Sequence, residues 1–260
     1  MKFRPCIDIH DGKVKQIVGS TLSDDNNKPD ENFVAEKEAD YYAKRYKSDG
    51  LEGGHIILLN KAGTKEYEVT KAAALKALGA YRGGMQVGGG ITAENAKEFI
   101  DAGASHVLVT SYVFNNGRID YDALERLLAA VGREHICLDL SCKRKADKYF
   151  IVTDRWQNMT EEAITYELLD KLSYYCDEYL VHAADVEGKK GGIERDLVSL
   201  LSGFDKLPIT YAGGVSEYAD IELISYLSDS KLDFTIGSAL DLFGGKLSYE
   251  RILKQVRQMR

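Results

Sequence analysis

Val87-Gly88-Gly89-Gly90-Ile91-Thr92-Ala93-Glu94-Asn95 reads as a strand end, a glycine turn and the first turn of a helix. Thr92 stands where a hydroxyl can accept from an otherwise unpaired helix N–H, with Asn95 three residues on. The pattern returns 124 residues later, counted from Gly89 to Gly213, as Tyr211-Ala212-Gly213-Gly214-Val215-Ser216-Glu217. Here Ser216 takes the capping position. Two further matches keep the same order. Cys6-Ile7-Asp8-Ile9 pairs with Cys137-Leu138-Asp139-Leu140, and Val109-Thr110-Ser111 with Ile236-Gly237-Ser238, at offsets of 131 and 127 residues. One order at nearly one offset, about half the chain, implies a duplicated half with approximate two-fold symmetry.

Outward from these turns, short apolar runs alternate with segments of helical period. The strand-like runs are Phe3–Ile9, His55–Leu59, Met85–Val87, His106–Val109, His135–Leu140, Glu178–His182, Ile209–Tyr211 and Asp233–Ile236. Helical patterns follow at Phe33–Lys47, Val69–Leu78, Ala93–Ala102, Tyr121–Val131, Thr160–Tyr174, Ile193–Leu201, Ser216–Leu227 and Leu247–Arg257. Strands alternating with helices imply a parallel sheet. Eight units in a chain of this length fit one closed (βα)8 barrel, a single α/β domain over residues 1–260, better than an open doubly wound sheet. With three prolines in the chain and no Pro- or Ser-rich linker, nothing marks a domain boundary.

Three connections are long for such a barrel: Ser20–Asn32, Ser141–Met159 with the sole tryptophan Trp156, and the glycine- and charge-rich Ala184–Glu194. Loops on that face of a barrel carry its chemistry, and long ones serve as lids or as plain insertions.

The formal net charge of −7 argues against a general nucleic-acid binder, which needs Lys and Arg against phosphates. A small phosphate ligand stays compatible, because local backbone N–H groups can outweigh net charge. No apolar run approaches the roughly 20 residues of a membrane span, and the first residues lack the apolar stretch of a secretory signal, so a cytoplasmic protein is expected. Cys6, Cys137, Cys142 and Cys176 form no C-x-x-C and read as reduced, small hydrophobes. His10, His55, His106, His135 and His182 show no metal-ligand spacing, so no metal is expected.

The paired glycine turns are candidate phosphate grips. Gly89, Gly90, Gly213 and Gly214 let backbone approach an anion closely at helix starts. Thr110, Ser111, Gly237 and Ser238 add hydroxyls and N–H groups from the next strands. A ligand with a phosphate at each end would satisfy both. Tight strand–helix turning alone would also explain a single Gly-Gly pair.

Asp8 and Asp139 end apolar runs, where a lone carboxylate is costly to bury. A charged residue at the C-terminal end of a barrel strand reads as catalytic. Related by the repeat, the two face each other across the mouth, where unlike surroundings could make one an acid and the other a base. Carboxylates held by backbone N–H groups or by Lys and Arg are the structural alternative. Asp11-Gly12 signals a hairpin turn, and Lys13–Val18 then alternates as a short extra strand whose Lys15 or Gln16 could face the site.

Asp8-Ile9-His10-Asp11-Gly12-Lys13-Val14, Gln86–Ile91, Ala212–Val215 and Ile236-Gly237-Ser238-Ala239-Leu240 closely resemble the phosphoribosylformimino-5-aminoimidazole carboxamide ribotide isomerases of histidine biosynthesis. The resemblance runs over essentially the whole chain. Val14–Gly19, Arg155-Trp156-Gln157, Val181–Gly188 and Asp241–Gly245 look like the fungal and plant branch. It implies a barrel with half-barrel duplication and a cofactor-free Amadori rearrangement of the aminoaldose ProFAR to the aminoketose PRFAR. Asp139 would be the acid that opens the ribose ring, and Asp8 the base that takes the C2 proton. The substrate carries two phosphates, and a monomer suffices.

The chain also departs from bacterial members. Leu58–Gly63 lacks their acidic stretch after strand two. Where they carry a threonine after strand six, His182 is followed by Ala183-Ala184-Asp185, so His182 or Asp185 would take over its positioning work. Gln16 and Trp156 are further candidate substrate contacts. Three rivals are the cyclase barrel of imidazole glycerol phosphate synthase, a relaxed isomerase also taking phosphoribosyl anthranilate, and a non-catalytic phosphate-binding barrel. Gly237-Ser238-Ala239-Leu240 and Gln16–Gly19 favour the isomerase over the cyclase.

Overall fold

The computed structural model describes residues 1–17, 31–187 and 191–259. Eight parallel strands form its centre: β1 (Cys6–His10), β2 (Gly54–Leu58), β3 (Met85–Gly88), β4 (Val107–Val109), β5 (Ile136–Asp139), β6 (Glu178–His182), β7 (Ile209–Ala212) and β8 (Asp233–Phe234). They are hydrogen-bonded in chain order, each to the next. A parallel bridge between Phe3 and Phe234 joins the first and last, with Arg4 N–H donating to the Phe234 carbonyl at 2.8 Å and Phe234 N–H to that of Lys2 at 3.0 Å. The sheet is therefore a closed (βα)8 barrel.

The surrounding helices are α1 (Ala39–Ser48), α2 (Lys65–Ala80), α3 (Ala93–Ala102), α4 (Tyr121–Val131), α5 (Tyr166–Leu172), α6 (Arg195–Ser202), α7 (Tyr218–Ser228) and α8 (Tyr249–Gln258). Their starts follow local chemistry. Thr92 N–H donates to Asn95 Oδ1 at 2.9 Å ahead of α3. At α7 the cap falls on Glu217, one residue beyond the expected Ser216. Asp220 in the first turn accepts from the N–H of both Ser216 and Glu217, at 2.8 and 2.9 Å, which draws both into the cap. A carboxylate there satisfies orphan donors and complements the helix dipole.

Two other helices start later than their apolar period suggests. Phe33 belongs to a strand, Glu31–Val34, that pairs antiparallel with Lys13–Ile17, and α1 begins only at Ala39. Thr160 sits in the strand Asn158–Ala163, so α5 begins at Tyr166. The long Ser141–Met159 connection is not structureless. Cys142–Lys145, Lys148–Thr153 and Asn158–Ala163 build a three-stranded antiparallel sheet of their own. Most of the Ser20–Asn32 connection, and residues 188–190 of Ala184–Glu194, lie outside the described residues. The Asp11-Gly12 turn does reverse the chain, with φ of 51° and 74° and Ile9 paired to Val14. Asn60 clamps it, giving Oδ1 to Asp11 N–H at 2.9 Å and donating from Nδ2 to Asp11 Oδ1 at 2.8 Å.

The barrel interior is layered. At its N-terminal end Arg4 is buried between Glu178 and Asp233, at 2.9 and 2.7 Å, and Gln86 Nε2 donates to Glu178 at 3.0 Å. Breaking such a buried pair strands a charge in low dielectric, worth about 3–5 kcal/mol. Leu108, Cys137, Leu180 and Ala212 fill the middle, with Ile57 against them. All four cysteines are buried free thiols. Above this apolar floor the barrel opens.

Candidate active site

A cavity of about 480 Å³ fills the C-terminal mouth, and Asp8, Gln16, Asp139, Trp156, His182 and Glu187 are among the residues of its wall. The matched turns stand on opposite sides. Gly89 and Gly90 have φ of 99° and 70°, and Gly213 and Gly214 have 109° and 76°, so the halves repeat one backbone shape. Only glycine fits. A Cβ at Gly89 would lie 2.1 Å from the Leu58 carbonyl oxygen, and one at Gly213 would lie 2.8 Å from that of Ala183. Gly89, Gly90, Thr110, Ser111, Gly213 and Gly237 line the cavity, while Gly214 and Ser238 adjoin lining residues in the chain.

The two aspartates have unlike surroundings. Asp8 accepts one side-chain hydrogen bond, from Gln16 Nε2 at 2.9 Å. Burial pushes its pKa up to about 6 against that bond; Glu187 adds to the rise and His182 opposes it. Asp139 is far better supplied. Its Oδ1 accepts from Ser141 N–H at 2.9 Å and Ser141 Oγ at 2.7 Å, and its Oδ2 from Thr110 Oγ1 at 3.0 Å. Burial raises its pKa as well, restrained by Ser141, His182 and Thr110.

His182, the last residue of β6, sits where both aspartates feel its charge. Its Nε2 lies 3.0 Å from Glu187 Oε2. Burial disfavours the imidazolium, but Glu187, Asp139 and Asp8 outweigh burial and raise its pKa. Glu187 is lowered in turn: burial acts against the carboxylate, while His182 and the Gly214 N–H favour it. His55, also in the wall, is pushed down to about 3 by burial, with His182 and Arg4 acting the same way, and stays neutral.

Trp156 reaches the cavity from the turn joining the second and third strands of the small sheet. Its ring meets His182 edge-on, with centroids 4.7 Å apart. Asp154, Arg155 and Trp156 all have left-handed backbone, with φ of 51°, 56° and 64°. Non-glycine residues hold that conformation only where their surroundings enforce it. Three contacts do so: Asp154 N–H donates to Ser111 Oγ at 3.0 Å, Arg155 Nη2 to the Leu59 carbonyl at 3.2 Å, and Lys143 Nζ to the Trp156 carbonyl at 2.8 Å. The first two tie the turn to the loops after β4 and β2, so it spans part of the mouth.

Asp185 points elsewhere. Its Oδ2 accepts from Arg144 N–H at 2.6 Å, fastening the small sheet to the loop after β6. Lys15 lies against His10 and Asp11 at 3.4 and 3.5 Å, on the hairpin rather than in the cavity wall. Thr110, read from the sequence as a phosphate donor, has its hydroxyl on Asp139. Sequence reasoning missed Ser141, Glu187 and His55. Ser141 had a signal, since a hydroxyl two residues after an aspartate commonly closes a local side-chain–backbone turn. Glu187 had none, because only the fold of its loop brings it to His182.

A closed barrel with carboxylates and an imidazole around one mouth cavity defines a barrel of the acid–base kind. The family model described as "Histidine biosynthesis protein" matches residues 2–248, and the chain belongs to that family. It is 51% identical over 257 residues to the 1-(5-phosphoribosyl)-5-((5-phosphoribosylamino)methylideneamino) imidazole-4-carboxamide isomerase, chloroplastic, of Medicago truncatula, covering 97% of this chain and 81% of that protein. Proteins named as the same isomerase are 46% identical in Neurospora crassa, over 94% of each chain, and 42% identical in Saccharomyces cerevisiae, over 95% of this chain and 94% of the relative.

Proposed function

We propose that this chain isomerises the aminoaldose ProFAR to the aminoketose PRFAR in histidine biosynthesis, with Asp139 as acid and Asp8 as base. The isomerase activity follows from its family and relatives. The observation that carries the residue roles is the placement of two half-buried aspartates around one cavity, between two glycine turns of the same backbone shape. The phosphates of the substrate would lie at Gly89-Gly90 with Ser111, and at Gly213-Gly214 with Gly237 and Ser238. Backbone N–H groups and helix starts bind anions without a net positive protein.

In the chemistry, Asp139 gives a proton to the ribose ring oxygen. The C1–O bond breaks, and the nitrogen lone pair forms a C1=N iminium. Asp8 removes the C2 proton. The C2–H electrons form C1=C2, and the C1=N pair returns to nitrogen, giving the enolamine, which tautomerises to the ketose. A base with a pKa of about 6 is ionised at neutral pH yet still basic enough to act. For Asp139, the carboxylate left after proton donation is met by Ser141, Thr110 and the charge of His182, which favours that step.

The test adds the purified aminoaldose alone and follows the ultraviolet change of product. Turnover without a second protein is expected. Turnover that required ammonia and a glutaminase would instead identify a cyclase. A monomer is part of the same proposal, since one chain supplies both turns and both aspartates; light scattering checks it. A cytoplasmic location belongs to it too. No helix among the described residues is long and apolar enough to cross a membrane, and the Medicago truncatula relative is named as chloroplastic, so cell fractionation decides.

A further inference from the structure

We propose that Glu187 is a positioning residue that takes the Nε2–H of His182 and holds the ring as an imidazolium beside Asp8 and Asp139, leaving Nδ1–H as the donor to the C2 oxygen of the substrate. This inference rests on the isomerase reading above. It begins from a geometry that the sequence did not announce. The His182–Glu187 contact of 3.0 Å closes a loop of five residues from the end of β6 back onto that strand. Both side chains line the cavity and are only partly exposed, 24% for His182 and 31% for Glu187. An ion pair so placed is attenuated by solvent less than a surface pair.

Two further groups act on the pair. The Gly214 N–H, on the second glycine turn, favours the Glu187 carboxylate. The Trp156 ring packs edge-on against His182 and limits its rotation. An imidazole with one N–H fixed to a carboxylate has its protonation and orientation set by that bond. The neighbouring charges agree with a cation here. Asp8 on β1 and Asp139 on β5 both favour it, and His55 on β2 is neutral. From the turn above, Asp154 and Arg155 line the same cavity with opposite signs.

A cation at this point has a chemical use. The C2 oxygen becomes the carbonyl of the ketose, and negative charge gathers on it as the enolamine tautomerises. A donor aimed at that oxygen stabilises the developing charge without solvent reorganisation. It also stands beside both aspartates when each is ionised, after Asp139 has given its proton and before Asp8 has taken one. His182 thereby supplies a donor to the reacting oxygen, and Glu187 is what makes it cationic.

The experiment compares the wild-type chain with Glu187→Gln. Glutamine keeps the shape but removes the charge, so His182 should lose its proton at lower pH. Imidazole NMR, assigned with His182→Asn and needing no substrate, should show the His182 pKa falling by about one unit or more. The alkaline limb of the kcat profile should move down with it. At pH 8 kcat should drop roughly tenfold, while KM changes far less, and Glu187→Asp should recover part of the loss. In a double-variant cycle, Glu187→Gln should add nothing to His182→Asn. An unmoved His182 titration, an unshifted pH profile, or losses that multiply in the double variant would each overturn the proposal. If Glu187→Gln fails to fold, Glu187→Asp and His182→Asn still deliver the titration and the profile. Absence of turnover in the wild type would count against the isomerase reading instead, and the histidine titration would stand apart from it.

Discussion

The two halves of the barrel repeat one backbone but not one electrostatic setting. Around the glycine turns the copies agree to within about ten degrees of φ. Around the aspartates they part. Among the described residues Asp8 is served by one side chain, Gln16, that reaches in from the hairpin after β1. Asp139 is wrapped by Ser141, two residues along its own chain, and by Thr110 from the next strand. Duplication supplies the two matched turns at opposite sides of the mouth. Divergence of the donors gives the two carboxylates unlike hydrogen-bonding surroundings. The lesson is that symmetry of the scaffold and asymmetry of the donors are separable, and each can be broken alone.

The strongest break comes from removing a carboxylate outright. Asp8→Asn and Asp139→Asn should each lower kcat by about 10²–10⁴-fold while leaving ligand binding in place, as read by turnover and by calorimetric titration of product. Equal substrate affinity with full turnover in either variant would remove that aspartate from the chemistry.

Next come the turns. Gly89→Ala and Gly213→Ala both force a side chain into left-handed backbone, but a Cβ at Gly89 meets a carbonyl oxygen at 2.1 Å and one at Gly213 meets its neighbour at 2.8 Å. Gly89→Ala should cost about 3 kcal/mol or more of stability and Gly213→Ala about 1–2, measured by denaturant unfolding. Equal losses would mean that the halves tolerate strain alike.

Acidity separates the halves by a further measure. In its proposed role as base, Asp8 must be ionised, so kcat/KM should fall about tenfold per unit below pH 6. Stability runs the other way. The folded pKa of about 6 exceeds the ordinary 3.8, so between these values the native state holds a proton that the unfolded chain releases. This contribution to stability is present at low pH and is lost as pH rises through about 6. Asp8→Asn should therefore be more stable than wild type at pH 7, by about 2–3 kcal/mol, with the gap closing towards pH 4. Thermal melts across pH check it.

The smallest effect tests the donors. Gln16→Ala removes a side-chain donor to Asp8 and should raise the acid limb of kcat/KM by about one unit. Ser141→Ala leaves Asp139 with a backbone N–H and Thr110, and should move its own limb by less. A larger shift from Ser141→Ala would reverse the ranking of the two sites.

Much of this molecule could be read before its structure. Strand order, the paired glycine turns and the two aspartates all lie in local patterns: apolar runs, Gly-Gly steps and a carboxylate where none is cheap. What escaped depends on pairing at a distance. Asn158–Ala163 is the polar run NMTEEA, yet it is a strand because Lys148–Thr153 lies beside it. Glu31–Val34 takes Phe33 out of a helical pattern because Lys13–Ile17 offers an edge. Ser216 yields its cap to Glu217 because its own N–H and hydroxyl are both turned onto Asp220. Glu187 reaches His182 only after its loop has folded back, and no spacing announces that.

The seam between Phe3 and Phe234 has a consequence for how the chain is made. Residues 2–4 are synthesised about 230 residues ahead of their partners at 233–234. Until residue 234 has been made, the Phe3 edge and the Arg4 guanidinium await these mates, so the barrel cannot seal before then. Contacts of such long sequence separation form late and slowly, and an unpaired strand edge invites the wrong partner. The Phe3 edge is thus where the nascent barrel most needs shielding.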